Sequence, residues 1–500
     1  MPRRTATTDA APTAAAARTG GRKRAPARTP AGGVRKIETH IPGFDLVADG
    51  GLPHARSTLV AGTAGSGKTV FACHYLAAGI LQSGDAGVFV TFEDRPEDIR
   101  RNMLGFGWEI ARWEEEGRWA FVDVAPEPTL TPVVGDFDLG GLLARVSHAV
   151  KKVKAKRVVL DSMSALFIRF GDQRLLRSEL FRLIAGLKAL GTTVLFTAER
   201  MEDYGPVTAT GIEEFIADNV VILRNILADE RRRRTLEILK FRGTSHLRGE
   251  TPFTIVEDGV VVIPLSAQRL TQESSTVRVT SGVKALDRMC GGGLFRDSVV
   301  LASGATGTGK TLLTMQFLDG GVKHGERALL FAFEESRDQL LRNAASWGMH
   351  FGKAERQGRL QVVNQYPHAM PMEDHLVRMT RLIDEFEPQR VAVDSLSALE
   401  RVFSLRAFRE FVISLTSLLK ARRITTVFTS TTPQLLGGGS ITEKHISTVT
   451  DSILLLRYVE LEGRMRRSIN VLKMRGSAHD VDLREYTIDA KGMHIGEPFT

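Results

Sequence analysis

Cysteine is nearly absent from this chain: only Cys73 and Cys290 occur in 500 residues. Two isolated thiols exclude a disulfide scaffold and a structural zinc site. They fit a reducing cytosol, with both expected as small buried hydrophobes. No apolar run approaches the ~20 residues a membrane-spanning helix needs, which argues against a membrane role. Aromatic residues make up 7%, and no basic-aromatic platform for single-stranded nucleic acid stands out. Acidic residues are missing from residues 1–36 apart from Asp9, while Arg3, Arg4, Arg18, Arg22, Lys23, Arg24, Arg28, Arg35 and Lys36 lie there. Nearly all of the formal net charge of +9 therefore sits in this tail. The remainder is close to neutral, which argues against DNA binding. The tail is rich in Ala, Thr, Pro and Gly and holds almost no large apolar residue, so disorder is expected. It lacks the apolar core of a secretory signal. It shares Arg richness with organelle transit peptides, but a solubilising tail is the simpler reading, ahead of weak polyanion binding.

What the sequence does contain is a pair of phosphate-binding loops, GTAGSGKT at 62–69 and GATGTGKT at 304–311. Each fits G-x-x-x-x-G-K-[ST], whose backbone N–H groups wrap nucleotide phosphates at a helix N-terminus. The repeat extends further. GVFVTFEDRPEDI (87–99) aligns with ALLFAFEESRDQL (328–340), RVVLDSMSALF (157–167) with RVAVDSLSALE (390–400), and LEILKFRGTSH (236–246) with INVLKMRGSAH (469–479), in the same order. This organisation implies a basic tail (1–36), a first domain (37–264), a linker (265–276) and a second domain (277–500). Short Val/Leu/Ile runs alternate with helical stretches in each half, as an α/β fold with a mostly parallel sheet covered on both faces requires. Ligands in such sheets sit beyond the carboxyl ends of the strands.

The candidate phosphate cradle is Gly62, Thr63, Gly65, Ser66, Gly67, Lys68 and Thr69 in the first half. In the second it is Gly304, Thr306, Gly307, Thr308, Gly309, Lys310, Thr311 and Leu312. Lys68 and Lys310 are expected to reach the β/γ-phosphates of ATP, and the Thr69 and Thr311 hydroxyls to coordinate Mg²⁺. Asp161 and Asp394 close apolar strands and are expected Mg²⁺ carboxylates, with Glu334 a further candidate ligand. The acidic pairs Glu93-Asp94 and Glu334-Glu335 follow apolar strands. One carboxylate of each is expected to activate a water or hydroxyl, the first member being favoured because Glu stands there in both halves. Lys240, Arg242, Lys473 and Arg475 fall on alternate strand positions, hence one face, where two cations could act on a neighbouring subunit's nucleotide.

The tandem loops, FEDRPEDI, FEESRDQLLRNAASWGM, the two RGxxH segments and SITEKHISTVTD (440–451) closely resemble the KaiC family of circadian clock proteins. The resemblance covers about residues 38–499. It implies two RecA-like domains per chain and a double-ring homohexamer with ATP between subunits. It also implies hydrolysis in the first ring and Ser/Thr autophosphorylation in the second. By motif match Ser447 and Thr448 are the phosphorylation positions and Thr442 a nearby control hydroxyl. Glu93 would activate water and Glu334 the acceptor hydroxyl. Lys240, Phe241, Arg242, Thr244 and His246 match nucleotide-interface positions of the first ring; Trp347, Arg467, Lys473, Met474, Arg475, Ser477 and His479 match those of the second.

The repeat supports this division. Laying Asp451 on Asp218 and Lys473 on Lys240 puts Ser447 and Thr448 on Glu214 and Phe215, so the first half offers no hydroxyl there. Asp94 stands where the family pattern has a second Glu, and the N-terminal extension has no counterpart in it. The sequence ends where that pattern continues into a tail gripped by KaiA, which argues against KaiA-type activation. Residues 125–139 resemble the segment linked with KaiB docking, which leaves room for a KaiB-like partner. The competing readings are a RecA-type DNA-dependent motor and a nucleotide-gated scaffold.

Overall fold

A computed structural model describes residues 34–124, 139–169, 173–208, 211–228, 230–264, 274–432 and 446–499. The tail 1–33, most of the segment expected to meet a KaiB-like partner (125–138), Thr442 and the Ser447 side chain lie outside the described residues.

In the first half the strands of the main sheet are β1 (Ser57–Gly62), β2 (Gly87–Thr91), β3 (Trp119–Asp123), β4 (Arg157–Asp161), β5 (Thr193–Glu199), β6 (Asn219–Ala228), β7 (Arg231–Phe241), β8 (Thr251–Val256) and β9 (Gly259–Val262). They form one nine-stranded sheet in the order 3-2-4-5-1-6-7-8-9. The second half repeats it with β10 (Val299–Gly304), β11 (Ala328–Ala332), β12 (Leu360–Asn364), β13 (Arg390–Asp394), β14 (Thr425–Thr431), β15 (Ser452–Leu461), β16 (Arg464–Met474), β17 (Arg484–Asp489) and β18 (Gly492–Pro498), in the order 12-11-13-14-10-15-16-17-18. The first six strands of each order run parallel and the last three join by antiparallel pairing. The fold is therefore α/β, with two mostly parallel sheets flanked by helices.

Period-two alternation explains why these apolar runs are strands. Phe89 and Val159 point to one face of the first sheet, into the layer with Phe71 and Leu76. Val88, Val90, Val158 and Leu160 point to the other, against Leu180 and Leu183. Being buried on both faces, β1, β2 and β4 read as continuous apolar runs.

A buried arginine at the start of a central strand ties each sheet to the helix that follows its phosphate loop. Arg157 donates to the Tyr75 carbonyl at 2.9 Å, and Arg390 to that of Phe317 at 2.7 Å and to Glu326 at 2.5 Å. The close crossing explains two glycines. A Cβ at Gly79 would lie 2.5 Å from Arg157 Nε, and one at Gly321 2.3 Å from Arg390 Nε. The two domains meet where Arg233 of β7 bonds Glu373 of α3 (Met372–Phe386) at 2.8 Å and Glu410 of α4 (Leu405–Ala421) at 2.5 Å, taking the labels α1 (Lys68–Ala78) and α2 (Lys310–Lys323) for the helices after the loops.

Candidate nucleotide sites

β1 and β10 each feed a glycine-rich loop that opens directly into α1 or α2. The residues before these helices, Gly67 (φ 95°) and Gly309 (φ 85°), are left-handed, a conformation only glycine adopts cheaply. A Cβ at either would also come within 2.7 Å of an isoleucine Cδ1, that of Ile255 or Ile488. Neither helix has a side-chain cap, so its first-turn N–H groups face the loop as an anion cradle. Each loop is braced from within. Ser66 Oγ donates to the Thr63 carbonyl at 2.7 Å, and Thr308 Oγ1 to that of Ala305 at 2.8 Å. Thr306 is exposed on the rim, whereas Leu312 lies in the core behind the loop.

Lys68 and Lys310 are folded back onto their own loops. Lys68 Nζ bonds the Gly62 and Thr63 carbonyls at 3.0 and 3.1 Å, and Lys310 Nζ those of Gly304 and Ala305 at 2.8 and 2.9 Å. Burial lowers both amine pKa values, opposed by nearby carboxylates. Thr311 Oγ1 donates to Asp394 Oδ2 at 2.7 Å, and Thr69 bonds Asp161 in the same way. Burial raises both aspartates, and the threonine hydroxyls oppose that rise. A hydroxyl and a carboxylate side by side next to an anion cradle are the hard oxygen donors that fit Mg²⁺ bound to phosphates.

The acidic pairs stand at the ends of β2 and β11, beside these aspartates. Desolvation raises Glu93, helped by the charges of Glu199 and Asp161, while Ser162 Oγ donates to it at 3.4 Å. In the second cleft Glu334 pairs with Arg401. There the second member, Glu335, is the half-buried one; burial and the Asp394 charge raise it, and Asn343 donates to it at 3.0 Å. The two clefts thus differ: Glu335 is half-buried in the second, whereas in the first both Glu93 and Asp94 are exposed. The Asp94 carbonyl accepts from Thr91 at 2.5 Å.

The other candidate residues divide by position along the sheet. Lys240 Nζ donates to the Glu214 and Ala217 carbonyls at 2.9 and 2.8 Å, and Lys473 Nζ to that of Thr450 at 2.8 Å. Arg475 donates to the Thr448 carbonyl at 2.8 Å, and Arg242 lies near Asp218, 3.9 Å away. Both clusters lie at the amino ends of the parallel strands, because Asp218 binds the Ser57 N–H and Asp451 the Val299 N–H. Their own phosphate loops are at the carboxyl ends, five residues or about 17 Å away. Thr448, in the short helix Ile446–Val449, shares this far end. Phe241 and Met474 are buried there, and His246 stacks edge-on to Phe241. Thr244 is half-buried, and Ser477 accepts from Arg278 at 2.6 Å beside His479. Arg467 is different: it donates to the Gly307 carbonyl of its own loop at 3.3 Å. Trp347 packs partly buried against the second core.

Sequence reasoning missed three features. Thr197 and Thr429 bond Asp161 and Asp394; the repeat TVLFTA (193–198) with TTVFTS (425–430) carried that signal. Arg401, partner of Glu334, had no counterpart in the repeat to flag it. Glu199 ends β5 beside Gly62, exactly in register where the second domain has Thr431 beside Gly304.

Two stretches, 37–267 and 279–499, match the protein-family model for the KaiC ATPase. The chain is 61% identical over 469 residues to the circadian clock protein KaiC3 of Synechocystis sp., covering 93% of each. It is 54% identical over 466 residues to the circadian clock oscillator protein KaiC of Thermostichus vulcanus and 53% to that of Synechococcus elongatus, covering 93% of this chain and 90% of each relative.

Proposed function

Because the chain belongs to the KaiC ATPase family, we propose that this tandem ATPase divides its labour, hydrolysing ATP in the first cleft and phosphorylating its own Ser447 and Thr448 in the second. It does so as a double-ring homohexamer in which each nucleotide lies between neighbouring subunits, and it serves biological timing or a related signalling cycle. The observation that carries this reading is the separation within one chain: Thr448, Lys473 and Arg475 stand at the sheet end opposite Gly304. A neighbour packed head to tail around a ring brings that end to the next subunit's loop. The same holds for Lys240 and Arg242 against Gly62.

In the first cleft, Lys68 and the amides opening α1 hold the phosphates and Glu93 takes a proton from water. Its raised pKa suits a base that must accept one. Arg242 and Lys240 of the adjacent subunit balance charge on the departing phosphoryl oxygens. In the second cleft the acceptor is a hydroxyl of Ser447 or Thr448, and Glu334, once released from Arg401, or the enclosed Glu335 takes its proton. Mg²⁺, held by Thr69 and Asp161 in one cleft and by Thr311, Asp394 and Glu334 in the other, would neutralise phosphate charge when bound. Incubating the purified chain with ATP labelled at the γ-position tests the reading. Label is expected on the protein and disappears in the Ser447→Ala/Thr448→Ala chain, which keeps hydrolysing ATP; label persisting at unchanged stoichiometry overturns the assignment.

A further inference from the structure

We infer that Glu199 is a positioning residue of the first cleft that competes with ATP phosphates for Lys68. The inference deepens the proposed hydrolysis in that cleft and rests on it. Glu199 is the last residue of β5 and sits level with Gly62, where the loop begins. Its backbone is fixed on both sides: the Glu199 N–H donates to Ser164 Oγ at 2.8 Å, and the next N–H, of Arg200, to the Gly62 carbonyl at 3.0 Å. The side chain brings Oε1 to 3.8 Å from Lys68 Nζ. Lys68 is then held by this carboxylate together with the Gly62 and Thr63 carbonyls, turned onto the loop rather than outward. To meet phosphates the ammonium must leave Glu199, and the incoming anion must tolerate a carboxylate beside it.

The second cleft is the internal control. Its framework is the same, down to the Thr431 N–H donating to Ser397 Oγ at 2.8 Å. But the side chain there is the neutral hydroxyl of Thr431, level with Gly304. Lys310 keeps the matching pair of loop carbonyls, and among the described residues it has no carboxylate ion pair. One position therefore separates a lysine ion-paired to a strand-end carboxylate from one that faces a neutral hydroxyl there.

The test compares ATP affinity, measured by calorimetric titration, with steady-state hydrolysis, in full-length chain carrying Lys310→Ala to silence the second cleft. Glu199→Gln keeps the shape and removes the charge. It should tighten ATP binding roughly two- to fivefold, the range available to a half-exposed ion pair, and change kcat by less than about tenfold, since the Glu199 charge also bears on Glu93. Unchanged or weaker binding overturns the inference. So does a kcat loss of about tenfold or more, which would make Glu199 a participant in the chemistry. If the Lys310→Ala chain binds ATP but does not hydrolyse it, the hydrolysis reading fails, while the binding comparison still decides the role of Glu199. The reciprocal change, Thr431→Glu in a chain whose first cleft is left intact, should weaken binding in the second cleft by a similar factor. Equal affinity there counts against the inference even if Glu199→Gln fails to fold.

Discussion

His74 gives the first domain an acid-sensitive hydrogen bond that the equivalent position of the second domain, Gln316, does not have. It lies on α1, buried against Trp108 with ring centroids 5.0 Å apart, and its Nδ1 accepts the Val260 N–H at 3.0 Å. Burial pushes its pKa down from 6.5 to about 4, with the Asp258 charge opposing weakly. An acceptor bonded to a backbone N–H must be the neutral ring, so protonation both breaks that bond and buries a charge. The folded pKa is below the unfolded one, so the stability it supplies is complete above about pH 6.5 and is lost as pH falls towards 4. The gap of about 2.5 units corresponds to roughly 3 kcal/mol in all, of which about 2 kcal/mol is gone by about pH 5. The equivalent residue in the second half is Gln316, whose Oε1 accepts the Met493 N–H at 3.2 Å without titrating. His74→Gln should therefore keep the bond and lose the pH dependence. Calorimetric melting at about pH 7.5 and pH 5 reads this out. The wild-type first domain should drop about 4–8 °C further than the variant. Equal drops in the two proteins would refute the assignment of this acid sensitivity to His74.

Other perturbations separate the clefts. Lys68→Ala should impair ring assembly, seen by size-exclusion chromatography, whereas Lys310→Ala should mainly abolish self-labelling; indistinguishable behaviour would contradict the division of labour. Arg242→Ala should lower first-cleft turnover by ~10-fold or more, as loss of a trans-acting cation does, and unchanged turnover would place this guanidinium outside the reaction. Gly309→Ala forces a side chain into a left-handed conformation and onto Ile488. It should cost about 1–2 kcal/mol, with a lower melting temperature and weakened ATP binding in the second cleft alone.

Much of this architecture was legible because parallel strands leave a direct trace. Val/Leu/Ile runs ending in Asp161 and Asp394, each downstream of a glycine loop, place loop and carboxylate at one sheet edge. The internal repeat then says the arrangement occurs twice. Two kinds of information stayed hidden. One is which members of a basic cluster share a site: Arg467 and Lys473 are close in sequence and were grouped together, yet Arg467 reaches the loop of its own chain and Lys473 sits at the opposite sheet end. They stand six residues apart along one strand, β16, and its antiparallel pairing with β15 sets which end lies beside the loop. The other is a single divergent side chain at a strand end, such as Glu199 against Thr431. It lies beyond the loop motif, and only strand register brings it level with Gly62.

The central claim is the proposal that the phosphoryl group of the second cleft passes between subunits, because one chain keeps its loop and the proposed acceptor Thr448 at opposite ends of the sheet. Co-assembling a Lys310→Ala chain, which has acceptors but an impaired donor site, with a Ser447→Ala/Thr448→Ala chain, which has a donor site but no acceptors, tests this directly. With γ-labelled ATP, the mixed particle should place label on the Lys310→Ala chain, although neither chain labels alone. A mixed particle that stays unlabelled while the wild type labels normally would mean that transfer occurs within one chain, contrary to the geometry described above.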